Sequence, residues 1–330
     1  MTTIKDIANR LGISVSAVSK GLNGAPDISE ELRTIVLETA VEMGYSTKRS
    51  RKEEHRRLAV FIENMDYESP SDFGYDIILG FKQSAFKQKW AVDVISVTPA
   101  MQLEEKYDTY MLKHGYSGSF VLGFTLHDEW IKQFATTNTP TVLFDNFVSK
   151  NQNVAYIGTD NKEGIDLAIE HLVKLGHKRI ALLNGTLYSM VSEQRQDAYN
   201  SGLIKYGLTP DEKLTAYGYF MASATKDHVK SFIDNGATAI LCCSDVIAAS
   251  VVDECKQLNL SVPGNISVVG FDNTPIASEY GLTTISQNRI ELGKSSYVTL
   301  TALISRIGIS STLMRPTLVV RNSTSVCKDS

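Results

Sequence analysis

Val15, Ser16 and Lys20 sit close together on one short helical pattern. They offer a methyl-bearing side chain, a hydroxyl and a cation. Those are the groups that read base edges: lysine donates to guanine O6 or N7, serine bonds any base, and valine touches a thymine methyl. A second set lies far along the chain. Asp145 follows the apolar run Thr141–Phe144, Ser244 and Asp245 follow Ala239–Cys243, and Asp272 follows Ile266–Phe271. In α/β proteins, ligands bind outside the carboxyl ends of strands. Aspartates converging there suit a ligand with several hydroxyls or ring N–H donors. Asp145 and Asp245 could equally be helix caps.

Three helices must position the first set. Ile4, Ile7, Ala8 and Leu11 fall on one helical face, capped by Thr3 and ended by Gly12. Ser14 caps a second helix over Val15–Leu22, with Ala17, Val18 and Leu22 turned inward. Asn23-Gly24-Ala25-Pro26 breaks the chain. Ser29 caps a third helix with an apolar stripe of Ile28, Leu32, Ile35, Val36 and Met43, closed by Gly44. Two short helices joined by Gly12-Ile13-Ser14 form the unit that lays its second helix in a DNA major groove. Gly12 reverses the chain and Ile13 plugs the angle between the helices. A plain three-helix bundle is the competing reading of the pattern alone.

From Leu58 the rhythm changes to short apolar runs alternating with helical stretches. The runs are Leu58–Ile62, Val92–Val97, Ser119–Leu122, Thr141–Phe144, Val154–Ile157, Ile180–Leu183, Ala239–Cys242 and Ile266–Phe271. Among the stretches between them are Asp76–Lys87, Lys162–Leu175 and Val246–Leu258. This alternation predicts parallel sheets covered on both faces, in two α/β lobes.

The 330 residues are 43% hydrophobic and 21% charged, which excludes a disordered or fibrous chain. No apolar run is long enough to span a bilayer, and the first residues lack the apolar core of a secretory signal. Cys242, Cys243, Cys255 and Cys327 form neither a disulfide framework nor a zinc pattern. His171 and His177 are read as structural, and no metal site is expected. Phosphate-cradling glycine loops and the nucleophile elbow are absent, so the expectation is no enzyme and no cofactor.

The helical head is identified by its motifs. Thr3-Ile4-Lys5-Asp6-Ile7-Ala8, Gly12-Ile13-Ser14-Val15-Ser16-Ala17-Val18-Ser19-Lys20 and Leu22-Asn23-Gly24 resemble the head of the LacI/GalR family of bacterial repressors. So do Ile28-Ser29-Glu30 and Met43-Gly44-Tyr45. The likeness continues through Gly158-Thr159-Asp160-Asn161, Glu170-His171-Leu172 and Leu175-Gly176-His177-Lys178-Arg179-Ile180-Ala181. It resumes at Val262-Pro263-Gly264-Asn265-Ile266-Ser267-Val268-Val269-Gly270-Phe271-Asp272 and Leu282-Thr283-Thr284-Ile285.

The resemblance implies a cytoplasmic, nucleoid-associated homodimer on pseudo-palindromic operator DNA. It also implies a periplasmic-binding-protein-like pair of doubly wound lobes holding a small effector, most often a carbohydrate. Residues 1–45 would be the DNA-binding domain, 46–57 the hinge, and 58–330 the effector domain. Its N-lobe would take 58–158 and 287–317, and its C-lobe 159–286 and 318–330. Expected DNA contacts are Thr3, Ser14, Val15, Ser16, Ser19, Lys20 and Asn23, with Arg49 and Arg51 from the hinge. Matched residue by residue, Arg195 and Asp272 fall on effector-binding positions. Phe73 and Phe220 fall on positions that line or stack on the ligand, and Asp145 on a polar contact of the N-lobe. Ser244 and Asp245 complete the set, although Ser244 stands where many members carry Asn. Phe73 and Phe220 could instead be ordinary core. Regulation by a nucleobase or a protein partner, or a solute-binding receptor, are the rival readings.

The hinge departs from the family. Residues 1–57 hold ten Lys/Arg against eight Asp/Glu, and the rest 23 against 29, so +2 faces −6. Lys48, Arg49, Arg51, Lys52, Arg56 and Arg57 crowd Ser46–Arg57, which contains no Leu, Ile, Val or Met. The family's hinge helix wedges a leucine into the minor groove, and an apolar wedge is what unstacks a base step. This segment is therefore expected to act through charge, or as a plain tether.

Overall fold

The computed structural model describes residues 2–45, 56–187, 189–219 and 225–328. Three helices open it: α1 (Ile4–Leu11), α2 (Val15–Asn23) and α3 (Glu30–Glu42). The strands that follow are β1 (Arg57–Ile62), β2 (Ala91–Ser96), β3 (Ser119–Leu122), β4 (Thr141–Phe144), β5 (Val154–Thr159), β6 (Ile180–Asn184), β7 (Thr215–Tyr217), β8 (Ala239–Cys242), β9 (Ser267–Asp272), β10 (Thr283–Ser286), β11 (Ser311–Met314) and β12 (Thr317–Val319). The helices among them are α4 (Phe73–Lys87), α5 (Pro99–Glu104), α6 (Tyr107–His114), α7 (Glu129–Phe134), α8 (Asn161–Lys174), α9 (Met190–Lys205), α10 (Lys226–Asp234), α11 (Asp245–Gln257), α12 (Pro275–Glu279) and α13 (Arg289–Ile304).

The strands form two six-stranded sheets, ordered β11-β5-β4-β3-β1-β2 and β12-β10-β9-β8-β6-β7. Strands β1 to β5 pair in parallel, as do β6 to β10, while β12 lies antiparallel on β10. Buried apolar runs on parallel strands need helices on both faces, which is the two-lobed α/β architecture expected.

The chain packs as two units. The first holds residues 1–65, 80–157 and 293–312, and the second 66–79, 158–292 and 313–330. Segment 66–79, read above with the N-lobe, thus packs with the second sheet. In the first unit, Phe61 meets Trp130 edge-on at 5.1 Å, and the buried Tyr107 hydroxyl bonds Ser119 and Thr141, both at 2.7 Å. Helix α6 also carries the head: Leu112 packs on the head's core and Lys106 pairs with Glu38 at 3.2 Å. In the second unit, Ile165, Ile169, Leu172, Leu182, Tyr199, Leu241 and Phe271 pack into one core.

Two expectations change. Val36 is buried as expected, but Ile35 is 44% exposed, and Leu37 and Ala40 are buried in its stead. Burial centres on the row Leu32, Val36, Ala40 and Met43, and Ile35 sits off it. Arg57, read as hinge, is the first residue of β1. Its guanidinium bonds Asp93 at 2.6 Å and lies 4.9 Å from the Tyr116 ring. Arg56 lies over Trp90 at 5.5 Å. These two cations belong to the body.

Candidate functional site

In the head, Thr3 caps α1 in a reciprocal box: Thr3 N–H donates to Asp6 Oδ2 at 2.8 Å, and Asp6 N–H to Thr3 Oγ1 at 3.3 Å. Gly12 takes φ 66°, a left-handed turn that suits glycine, and Ser14 then caps α2 by accepting from Ala17 N–H at 3.1 Å. This fixes one face of α2 inward through Val18, and leaves Val15 and Ser16 outward on its first turn. Ser19 is half-buried. Lys20 is exposed and paired with Asp27, and Asn23 Nδ2 donates to Ser19 O at 2.7 Å. Arg49 and Arg51 lie outside the described residues.

The second sheet positions the other set. Arg195, on α9, is 4% exposed, a burial a guanidinium tolerates only when paired. Its Nε donates to Asn161 Oδ1 at 2.8 Å and its Nη1 to Cys243 O at 2.7 Å. The guanidinium lies 3.8 Å from the centre of the Phe271 ring. Asp272, which ends β9, is also buried, and accepts from Gln287 Nε2 at 2.7 Å. Burial, and then the neighbouring Asp245 charge, hold its carboxyl well above the usual range, with Arg195 opposing them. Asp272 takes φ 111° and Asn273 φ 55°, left-handed values that are strained for side-chain-bearing residues and gather at functional sites.

The remaining expected residues divide. Asp245 is fully buried, and its carboxylate accepts from Thr284 Oγ1 at 2.6 Å, Thr274 N–H at 2.7 Å and Thr274 Oγ1 at 3.1 Å. It ties α11 to the segments on either side of α12. Ser244 caps α11 by accepting from Ile247 N–H at 3.2 Å. Phe73 opens α4, half-buried, in the second unit. Asp145 follows β4 in the first unit at φ 57°. Phe220 lies outside the described residues.

Asn161, Gln287 and Arg289 were not singled out from the sequence, although Asn161 ends one of the quoted motifs. Arg289 Nη2 donates to Asp76 Oδ2 at 2.8 Å, and its Nη1 reaches Asp272 O at 3.3 Å. Beside this network lies a pocket of about 330 Å³. A larger hollow, about 430 Å³ against β7, is lined by none of the expected site residues that are described.

The first sheet ends differently. Glu63, directly after β1, is buried with Gln102, whose Nε2 donates to Glu63 Oε2 and, at 3.3 Å, to Asp128 Oδ1. Burial, and then the Asp128 charge, raise the Glu63 carboxyl to about 7. Gly123 takes φ 74°, and a Cβ there would stand 1.8 Å from Glu63 O, so no side chain fits.

Residues 3–48 match the bacterial regulatory proteins of the lacI family, and 169–324 match a periplasmic binding protein-like domain. The regulator MalR of Streptomyces coelicolor is 27% identical over 339 residues, which cover 98% of this chain and 96% of the relative. The repressor CytR of Escherichia coli K12 is 26% identical over 333 residues, with the same two coverages.

The chain belongs to the LacI family.

This LacI-family protein is a DNA-binding transcriptional repressor. Among solved structures, the lac repressor dimer bound to operator and the anti-inducer ONPF is 25% identical, with a TM-score of 0.69 over 98% of this chain and 99% of that one. A CelR–cellobiose complex, 21% identical with a TM-score of 0.73 over 98% and 100%, shares the fold. Among the described residues no helix is long and apolar enough to cross a membrane.

Proposed function

We propose that this LacI-family repressor acts as a homodimer on a pseudo-palindromic operator, and that a small hydroxyl-rich effector, a sugar or sugar derivative, sets its affinity. The observation that carries this reading is the buried Arg195–Asp272 network. A fixed guanidinium and a carboxyl on strained backbone, both at the carboxyl end of the second sheet, supply a donor and an acceptor for neighbouring hydroxyls. Asp245 braces that frame rather than contacting the effector. In the head, Val15, Ser16 and Lys20 read base edges, with Thr3, Ser14, Ser19 and Asn23 beside them on the DNA. The hinge acts by charge through Arg49 and Arg51, because Arg56 and Arg57 are engaged by the body.

Selection from random DNA by the full-length protein tests the reading. A two-fold-symmetric site is expected, and Lys20→Ala should relax discrimination at one base pair per half-site by roughly 1–3 kcal/mol. Replacing Arg49 or Arg51 by Gln should flatten the log K against log salt slope by about 0.9 for each phosphate no longer neutralised, while Arg57→Gln leaves it unchanged. A panel of sugars added to the operator complex should contain one that shifts affinity, and Asp272→Ala should abolish that shift without weakening effector-free binding. Selection that returns no palindrome, or an Asp272→Ala protein that folds but no longer binds operator, overturns the assignment.

A further inference from the structure

Arg289 is a second buried guanidinium, beside Arg195's site but outside the contacts assigned to it. Its residue is 8% exposed. Asp76 takes Nη2 and the Asp272 carbonyl takes Nη1, while Nε is buried with no partner among the described residues. A buried donor left unpaired costs free energy comparable to its lost desolvation, and such orphans are rare in native folds.

The side chain lines the pocket of about 330 Å³ together with Asp76, Asn273, Ser286, Arg315 and Thr317. The polar groups there are mostly donors. Asn273 Oδ1 is taken by Arg321 Nη2 at 2.7 Å, and Asn273 Nδ2 donates to Ser286 Oγ at 3.1 Å. The Ser286 hydroxyl therefore accepts from Asn273 and keeps its own proton for a ligand. Arg315 is largely exposed, its nearest acid being Glu163 at 3.9 Å. Of the residues that line the pocket, two are guanidiniums and one is a carboxylate, Asp76, already spent on Arg289, while Glu163 meets Arg315 from outside the lining. The 16-residue helix α13 begins at Arg289, so its positive end adds to the field.

We propose that this pocket is an anion subsite that takes the phosphate or carboxylate of the effector, making the effector an anionic derivative rather than a neutral sugar. It rests on the effector reading above, because Gln287 and the Asp272 carbonyl join the two sites. Nε of Arg289, the Ser286 hydroxyl and Arg315 are the donors, and charge-assisted bonds of this kind are the strong ones.

Calorimetry on the full chain without DNA tests it, using inorganic phosphate, a hexose phosphate and the parent hexose at constant ionic strength. Phosphate should bind, and Arg289→Gln should weaken it about tenfold or more. Arg315→Gln, at an exposed position that does not threaten folding, should weaken it by a smaller factor. Tighter binding of the hexose phosphate than of phosphate assigns the anion to the effector. Equal binding of the two keeps the anion subsite but makes its ligand the free ion, overturning the effector assignment. The same titrations on Arg195→Ala separate the two proposals: phosphate binding that survives there shows an independent pocket, whatever becomes of the operator response. No phosphate binding to the wild type, or equal binding to the folded Arg289→Gln and Arg315→Gln proteins, overturns the subsite.

Discussion

The two sheets share one strand order but end in opposite chemistry. After β1, the first gathers two carboxyls and an amide, Glu63, Asp128 and Gln102, that spend their hydrogen bonds on one another. After β8 and β9, the second gathers guanidiniums and carboxyls, held by Asn161, Gln287 and a backbone carbonyl. A parallel sheet leaves its carboxyl ends free of cross-strand demands, so loops can place charge there without breaking the ladder. What differs is whether the charges cancel locally. An acid cluster closed on itself responds to protons, and a cation with an unspent edge responds to ligands.

Arg195→Ala gives the largest effect expected from this contrast. It leaves Asn161 Oδ1 and Cys243 O unpaired and takes the compensating charge from Asp272, and should lower unfolding free energy by about 3–5 kcal/mol in urea titrations. A loss below about 1 kcal/mol would mean that water reaches the network freely, and the contrast with the first sheet would dissolve.

Glu63→Gln comes next. The folded carboxyl is raised to about 7 from 4.5, so the folded chain holds this proton more tightly than the unfolded chain. Glu63 then lowers stability as pH climbs from 4.5 towards 7, with no further change above. The glutamine variant cannot lose that proton. Relative to wild type it should gain about 3 kcal/mol between pH 4 and pH 8, read from denaturation midpoints across that range. Asp272 and Asp245, also raised, contribute the same sign and persist in the variant. Parallel pH profiles for the two proteins would remove Glu63 as the first sheet's proton-sensitive group.

Thr284→Val is the smallest. It deletes one of three donors to Asp245 and should cost about 1–2 kcal/mol. Its effector response should stay intact, since Asp245 braces the frame. A lost response at unchanged stability would move Asp245 into the binding site.

Much of this could be read from residue order, because the information was local. Helix caps at Thr3, Ser14 and Ser29 and the eight apolar runs all announce themselves within a few positions. Four strands did not. β7 and β12 have three residues each, β11 is exposed at alternate positions, and β10 reads Thr-Thr-Ile-Ser, so its burial rests on hydroxyls rather than an apolar run. Helix α9 runs 16 residues with polar groups on every side, because one of its buried residues is Arg195. The partners that decide roles were equally hidden. Thr284 stands 39 residues from Asp245, and Asp93 stands 36 from Arg57. Six cations within ten residues read as one DNA-facing run, yet two of them answer to the body.

The pairing of β11 with the first sheet and β12 with the second also bears on synthesis. Both sheets are missing an edge until residues 311–319 have left the ribosome. The buried residues of the head's core lie within about the first 45 residues, so they can gather while the rest is still being translated, with Leu112 of α6 closing on them later. A nascent chain thus carries a folded DNA reader through most of its synthesis, and between residues 286 and 311 it also carries two sheets whose β5 and β10 edges stand open. Open edges recruit foreign strands. Messages cut short before the codons for residues 311–319 would yield DNA-reading, aggregation-prone fragments, which makes this short stretch matter to the cell out of proportion to its length.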